Sequence, residues 1–205
     1  AIYGDHKNDK ADDFSAVPQA ERNAYILNRM KNLEDLVKWL VSVDAEAATG
    51  QPLETPYVVN ETTSYTTDTA EYRLAKFTKE FKDHFDEEYC TVYYIMTELL
   101  LCYDSRGKNL MLATWGPQIE GGNYIWYPIF YDIDTQLGVN NAGVPYWDYE
   151  VEATASNTFS TPNSVLWNNM YKIMMPQIKN RYEKLRGNLL TISKLNGYYN
   201  FDYDV

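Results

Sequence analysis

Residues 89–115 read YCTVYYIMTELLLCYDSRGKNLMLATW, an apolar run followed at once by a polar loop and a second apolar run. The first run is apolar on almost every side of a helix, so we predict a core helix near residues 87–103. The string DSRGKN (104–109) is polar and rich in loop formers. LMLATW (110–115) has the composition of a strand.

A second strand is expected soon after the first. Residues 116–122 are rich in glycine and form a turn region. YIWYPIFYD (124–132) is then the returning strand, and the pair predicts a β-hairpin. Further helices are indicated from Pro18 to about Val43, from Asp68 onward and from near Ser164, where Pro176 either starts or kinks a second piece. The predicted fold class is α+β, mainly helical, with a central β-hairpin.

Three local features complete this outline. Residues 57–67 are β-branched and aromatic, which is typical of a strand or of an extended loop. Asp68 and Glu71 have the spacing of a capping box at the start of a helix. Glu98 lies within the apolar helix, either on the helix surface or as a buried acid that pairs with Arg73 or Arg106.

The ends of the chain are predicted to differ from its middle. Residues 1–17 are polar and predict an extended arm that becomes ordered against a neighbour. Residues 18–190 form the α+β domain. Residues 191–205 form a C-terminal tail, whose last part, YYNFDYDV (198–205), predicts an extended docking strand.

Composition excludes several classes of function. The net charge of -11 argues against nucleic-acid binding, which needs a basic surface. No run of about 18 apolar residues is present to span a membrane. Cys90 and Cys102 are too far apart along one helix for a disulfide, so we expect buried thiols. The 19 tyrosines suit either a tyrosine-rich core or an interaction surface.

Four side chains form the candidate site: Asp104, Asn109, Asp132 and Asp134. The hairpin returns residue 132 towards residue 109, and strand alternation places Asp132 and Asp134 on one side. Crowded carboxylates raise each other's pKa, and a bound cation relieves that repulsion. Mg²⁺ prefers carboxylate and amide oxygens and fills its other positions with water and phosphate. We expect the side chains of Asp104, Asn109 and Asp132 to lie within about 8 Å of one another.

An aspartate, an asparagine five residues later and a further aspartate across a hairpin are also the arrangement found in enzymes that transfer phosphoryl groups. There, an aspartate accepts the hydroxyl proton, and an asparagine and a later aspartate hold the metal. Three interpretations remain open at this point: a structural hydrogen-bond network, a metal site without catalysis, and active phosphoryl transfer.

The strings DSRGKN and FYDIDTQLG (130–138), joined by the hairpin, resemble the core of the spore-coat CotH family of atypical kinases. The resemblance covers roughly residues 86–140. It implies a fold like a kinase C-lobe, with ATP, Mg²⁺ and phosphoryl transfer to protein hydroxyls. Asp104 would match the catalytic acid, and Asn109, Asp132 and Asp134 would match the metal ligands. The chain departs from the kinase pattern in having no GxGxxG string and no predicted five-stranded lobe.

A broader resemblance covers most of residues 36–186. The strings YTTDTAEYRLAKF (65–77), WYPIFYDIDTQLGVNNAG (126–143) and NSVLWNN (163–169) are similar to large structural proteins of tailed bacteriophages from gut bacteria. This resemblance implies a module of the tail or neck on a CotH-like core, located in the virion, with other virion proteins as partners in a symmetric multi-copy assembly. The kinase alternative implies the bacterial cytoplasm.

Overall fold

A computed structural model describes residues 18–102, 105–107, 109–117, 119–133 and 164–201. The chain separates into two units, Ala1–Val43 and Asp44–Val205. The described part of the first unit is essentially one helix, α1, which spans Gln19–Ser42. Residues 1–17 lie outside the described residues, and the division into arm, domain and tail stays a prediction.

The second unit is a mixed α+β structure, as the sequence predicts. Within the described residues, its strands form two separate antiparallel pairs, β1 with β2 and β3 with β4. Short 3₁₀ turns occupy Ala45–Ala47 and Phe81–Asp83. The regular elements are β1 (Pro52–Asn60), β2 (Thr63–Thr67), α2 (Ala70–Glu80), α3 (Glu87–Leu99), β3 (Met111–Pro117), β4 (Tyr124–Ile129), α4 (Val165–Asn188) and α5 (Ile192–Phe201). No helix in these described stretches is long and apolar enough to cross a membrane.

Helix α3 lies at the centre of this unit, which confirms its predicted core position. The ring of Tyr93 stacks on the ring of Trp167 in α4, with 5.5 Å between centroids, and contacts Phe130 at 4.6 Å. Tyr93 and Trp167 are both fully buried. Cys90 and Cys102 are buried free thiols, as expected, and burial raises the pKa of Cys90 well above its usual value. Aromatic packing therefore joins α3 to the elements on two of its sides.

The central hairpin β3–β4 is confirmed, and backbone hydrogen bonds fix it beside the start of α3. The Trp126 amide donates to the carbonyl of His84 at 2.8 Å, and the Asp86 amide donates to the carbonyl of Trp126 at 3.2 Å. Asp86 also caps α3, because its side chain accepts from the amide of Tyr89 at 2.7 Å. The segment that begins α3 therefore also positions the hairpin.

The strand alternative for residues 57–67 is confirmed for most of the segment, but a turn that was not predicted divides it into two strands. The segment contains the end of β1, a turn at Glu61 and Thr62, and β2. The Asn60 side chain accepts from the amide and the hydroxyl of Thr62, both at 3.0 Å, and this local pairing closes the turn without glycine. The hairpin rests on α2, where the Tyr57 hydroxyl donates to Glu80 at 2.8 Å.

Three further boundaries differ from the prediction. Helix α3 ends at Leu99 rather than near residue 103, because Leu101 has a φ of 50° and cannot continue a right-handed helix. Residues 198–201 belong to α5, so the predicted extended strand is wrong there, while residues 202–205 lie outside the described residues. Pro176 lies within α4, so it does not start a separate helix, and the alternative that it kinks the helix stays a prediction.

The predicted capping box at Asp68 is also wrong, because the adjacent residue takes that role. Thr69 caps α2 by accepting from the amide of Tyr72 at 3.1 Å. Asp68 instead accepts from Arg73 Nε at 2.6 Å and Nη2 at 2.7 Å, and from the hydroxyl of Thr49 at 2.8 Å. Arg73 also donates to the carbonyl of Asp44 at 3.1 Å. These bonds tie the loop before β1 to the start of α2.

The same contacts set the ionisation of Asp68. Hydrogen bonds from Arg73 and Thr49 favour the charged carboxylate and hold the pKa of Asp68 well below its ordinary value. A carboxyl group with a lowered pKa in the folded state stabilises the fold above its unfolded pKa. That contribution is lost as the pH falls through the folded pKa.

We therefore expect Asp68→Asn to lower the free energy of unfolding by about 1–3 kcal/mol at neutral pH, since Arg73 loses its charged partner. The difference between variant and wild type should shrink as the pH falls below about 4, the ordinary pKa of aspartate. Urea unfolding of both proteins at a series of pH values from neutral to below about 4 measures this difference. Glu34→Gln, which removes the exposed ion pair with Lys38, is the control and should show no comparable loss. A pH-independent difference would contradict the assignment.

Candidate functional site

The loop that follows α3 begins with a sharp change of direction. The amide of Leu101 donates to the carbonyl of Glu98 at 3.2 Å, and that of Cys102 donates to the carbonyl of Thr97 at 2.9 Å. These bonds satisfy two of the carbonyls that a helix end leaves without partners. Cys102 is buried by this turn, so the chain enters the DSRGKN string from within the core.

Two side chains of α3 hold the next part of the loop. The hydroxyl of Tyr93 donates to the carbonyl of Ser105 at 2.7 Å. The guanidinium of Arg106 is ion-paired with Glu98 and lies over the ring of Tyr94, with 4.5 Å between its Cζ and the ring centroid. Arg106 is almost completely buried. A buried charge needs such a partner. The predicted pairing of Glu98 with Arg106 is confirmed, but the Glu98 side chain is 35% exposed, so it is not the buried acid that was predicted.

Asn109 completes the loop and reaches the end of the hairpin. Its side-chain amide donates to the backbone carbonyl of Asp132 and to the carboxylate oxygen Oδ2 of Asp132, both at 3.3 Å. Asn109 is buried, whereas Asp132 is exposed. The loop after α3 and the end of β4 therefore meet through this pair of side chains.

The backbone of Asp132 has an uncommon conformation. Its φ is 50°, in the left-handed region that aspartate, asparagine and glycine tolerate better than other residues. The hydrogen bonds from Asn109 to both the main chain and the side chain of Asp132 support this conformation. Asn109 therefore determines where the Asp132 carboxylate lies.

The structure brings together two of the four predicted site residues. Asn109 and Asp132 lie well within the expected 8 Å, while Asp104 and Asp134 lie outside the described residues. The roles assigned to all four stay predictions. Among the residues that the structure describes, no group of three or more His, Cys, Asp or Glu side chains could hold a metal ion.

The predicted Mg²⁺ site stays a prediction, and Asp132 and Asn109 have the residue types that such a site uses. A carboxylate and an amide are ligand types that Mg²⁺ accepts, with water and phosphate completing its coordination. Asn109 turns its amide nitrogen towards Asp132, so its contribution here is to donate hydrogen bonds that position the carboxylate. When bound, Mg²⁺ would neutralise negative charge on a transferring phosphoryl group.

Sequence reasoning missed the role of the aromatic residues around the loop. Tyr93 and Tyr94 were recognised only as part of an apolar helix, yet one holds the carbonyl of Ser105 and the other supports Arg106. The available signal was the pair of hydroxyl-bearing rings in the helix that leads directly into the loop. The buried hydroxyl of Tyr93 needs a hydrogen-bond partner, which the following loop supplies, whereas Tyr94 acts through its ring.

Comparison with known proteins adds no family assignment. No family model matches the chain, and neither a curated protein nor a solved structure shows significant similarity to it.

The left-handed conformation of Asp132 predicts that three substitutions at this position lower stability by different amounts. Asp132→Asn keeps both a side-chain acceptor and tolerance of positive φ, so it should change stability least. Asp132→Gly loses the side-chain acceptor but still tolerates the positive φ. Asp132→Ala loses the acceptor and adds backbone strain, so it should cost about 2 kcal/mol. Urea unfolding of the three variants tests this order, and equal effects of alanine and asparagine would contradict it.

Proposed function

We propose that this chain is a structural and interaction module of a bacteriophage virion, in the tail or neck, built on a CotH-like core and without kinase activity. Its partners are other virion proteins in a symmetric multi-copy assembly. The resemblance to gut-phage structural proteins, which runs over most of residues 36–186, gives the proposal its direction.

The observation that carries the proposal is the exposure of large apolar side chains. Trp115, Ile119 and Ile192 are 82%, 74% and 79% exposed. Leaving such groups in water is unfavourable, so each of them is available for contact with another protein. Trp115 also contacts Tyr127 edge to face, with 5.1 Å between centroids, so it already has a preferred orientation. A module that joins other proteins needs surfaces of this kind.

A second candidate function is that of an atypical protein kinase that transfers phosphate from ATP to protein hydroxyls. One observation favours it, which is the contact between Asn109 and Asp132 across the predicted site. In that function Asp104 would accept the hydroxyl proton, and Asn109, Asp132 and Asp134 would hold Mg²⁺. We rank it second because residues 18–85 contain α1, β1, β2 and α2, and no glycine-rich string for the phosphates.

A virion component should be found in the particle itself. We expect antibodies raised against the purified chain to label the tail or neck of intact tailed phages from gut samples in electron microscopy. The control is the same antibody absorbed with the purified chain. Reactivity only with free protein in lysates of infected bacteria, with unlabelled particles, would count against the proposal.

The kinase candidate makes a different prediction. ATP binding would stabilise the fold by roughly 2.7 kcal/mol at a hundred-fold excess over Kd, which raises Tm by about 5–10 °C. We expect no such rise for this chain with Mg²⁺ and ATP, as measured by thermal unfolding with Asp132→Asn as the matched variant. An ATP-dependent rise that Asp132→Asn abolishes would make the kinase the leading function.

A further inference from the structure

The chain distributes its charge unevenly. The whole sequence has a net charge of -11, yet the residues of α4 and α5 include one acidic side chain, Glu183. The basic side chains of these two helices are Lys172, Lys179, Arg181, Lys184, Arg186 and Lys194. Even when Asp202 and Asp204, which follow α5, are counted, the net charge of this end of the sequence is positive. One end of an acidic chain is therefore basic.

The junction between α4 and α5 combines this charge with exposed apolar groups. Leu189 is 49% exposed and Ile192 is 79% exposed. The side chains of Lys184, Arg186 and Lys194, which lie within five residues of them along the chain, are exposed. The ammonium of Lys194 donates to Asn188 Oδ1 at 3.0 Å, which places it at the end of α4. We name the two apolar and three basic residues the basic corner. Exposed apolar side chains with cations nearby in the sequence are suited to a partner surface that is apolar and acidic.

The turn region of the β3–β4 hairpin has the complementary character. Trp115, near the end of β3, and Ile119, in the turn, are its most exposed apolar residues, and Glu120, which follows Ile119, is also exposed. We name these three residues the hairpin tip. From residue 109 to residue 133 the sequence contains Glu120 and Asp132 but no lysine or arginine. A cation that approaches Trp115 therefore meets no like charge from this segment.

We propose that the basic corner of one copy of this chain binds the hairpin tip of a second copy. Leu189 and Ile192 cover Trp115 and Ile119, and the cations of the corner face Glu120 and the indole ring. Burial of apolar area provides the main driving force, and opposite charges select the orientation. Two basic corners repel each other, so like surfaces do not pair. The inference rests on the proposed function and identifies the partner within the assembly as another copy.

The two surfaces differ, so the contact is heterologous. After two copies bind, one corner and one tip remain exposed, and a further copy can add to either. Such contacts produce a closed ring when the rotation between neighbours closes, or a chain of copies when it does not. This mode of growth is what a symmetric multi-copy component requires.

Sedimentation equilibrium of the full chain over a range of concentrations tests the contact. The tip variant is Trp115→Ala with Glu120→Lys, and the corner variant is Arg186→Glu with Lys194→Glu. We expect the average mass of the wild type to rise with concentration. Each variant alone should associate at least tenfold more weakly than the wild type does. Because each variant keeps one intact surface, an equimolar mixture of the two should form heterodimers.

A control separates the effect of the corner from that of net charge. Lys31→Glu with Lys179→Glu changes the net charge as much as the corner variant does, at exposed positions outside the basic corner. It should associate as the wild type does. Circular dichroism checks that every variant is folded.

Three results would overturn the proposed contact. They are a wild type that stays monomeric, variants that associate as strongly as the wild type, and a mixture that forms no heterodimer. None of them bears on the labelling of phage particles, so the contact and the virion role can fail separately.

Discussion

The stacking of Tyr93 on Trp167 is the interaction on which the second unit most depends. Helix α3 is apolar on nearly every side, so its stability in water depends on cover from several neighbouring elements. This stack provides the cover from α4, Phe130 provides it from the end of the hairpin, and the Tyr93 hydroxyl holds the loop after α3. One side chain therefore connects the helix pair, the hairpin and the candidate site.

Sequence reasoning succeeded where the pattern was long and local. The core helix and the β3–β4 hairpin followed from apolar runs separated by a glycine-rich turn, and these runs decide their own structure. It failed where one or two side chains decide the outcome. The turn closed by Asn60 contains no glycine, so no glycine signal marks it. Both Asp68 and Thr69 can cap a helix, and only the pairing of Asp68 with Arg73 shows why Thr69 is the cap.

The candidate site was predictable in part for the same reason. A hairpin must bring its ends together, so the meeting of Asn109 with Asp132 followed from topology alone. The pairing of Glu98 with Arg106 was one of two alternatives, because a carboxylate in an apolar helix attracts a cation but the sequence does not specify which one. The direction of the Asn109 amide depends on the left-handed conformation of Asp132, which no periodic pattern reveals.

That conformation also affects how related sequences should be interpreted when they are compared. Position 132 selects for aspartate, asparagine or glycine on backbone grounds, whatever the chemistry nearby. An aspartate retained there through evolution is therefore weak support for a metal ligand. The informative pattern is the exchange among these three residues. Free exchange with asparagine and glycine would indicate a turn, whereas strict exclusion of both would indicate selection for the negative charge itself.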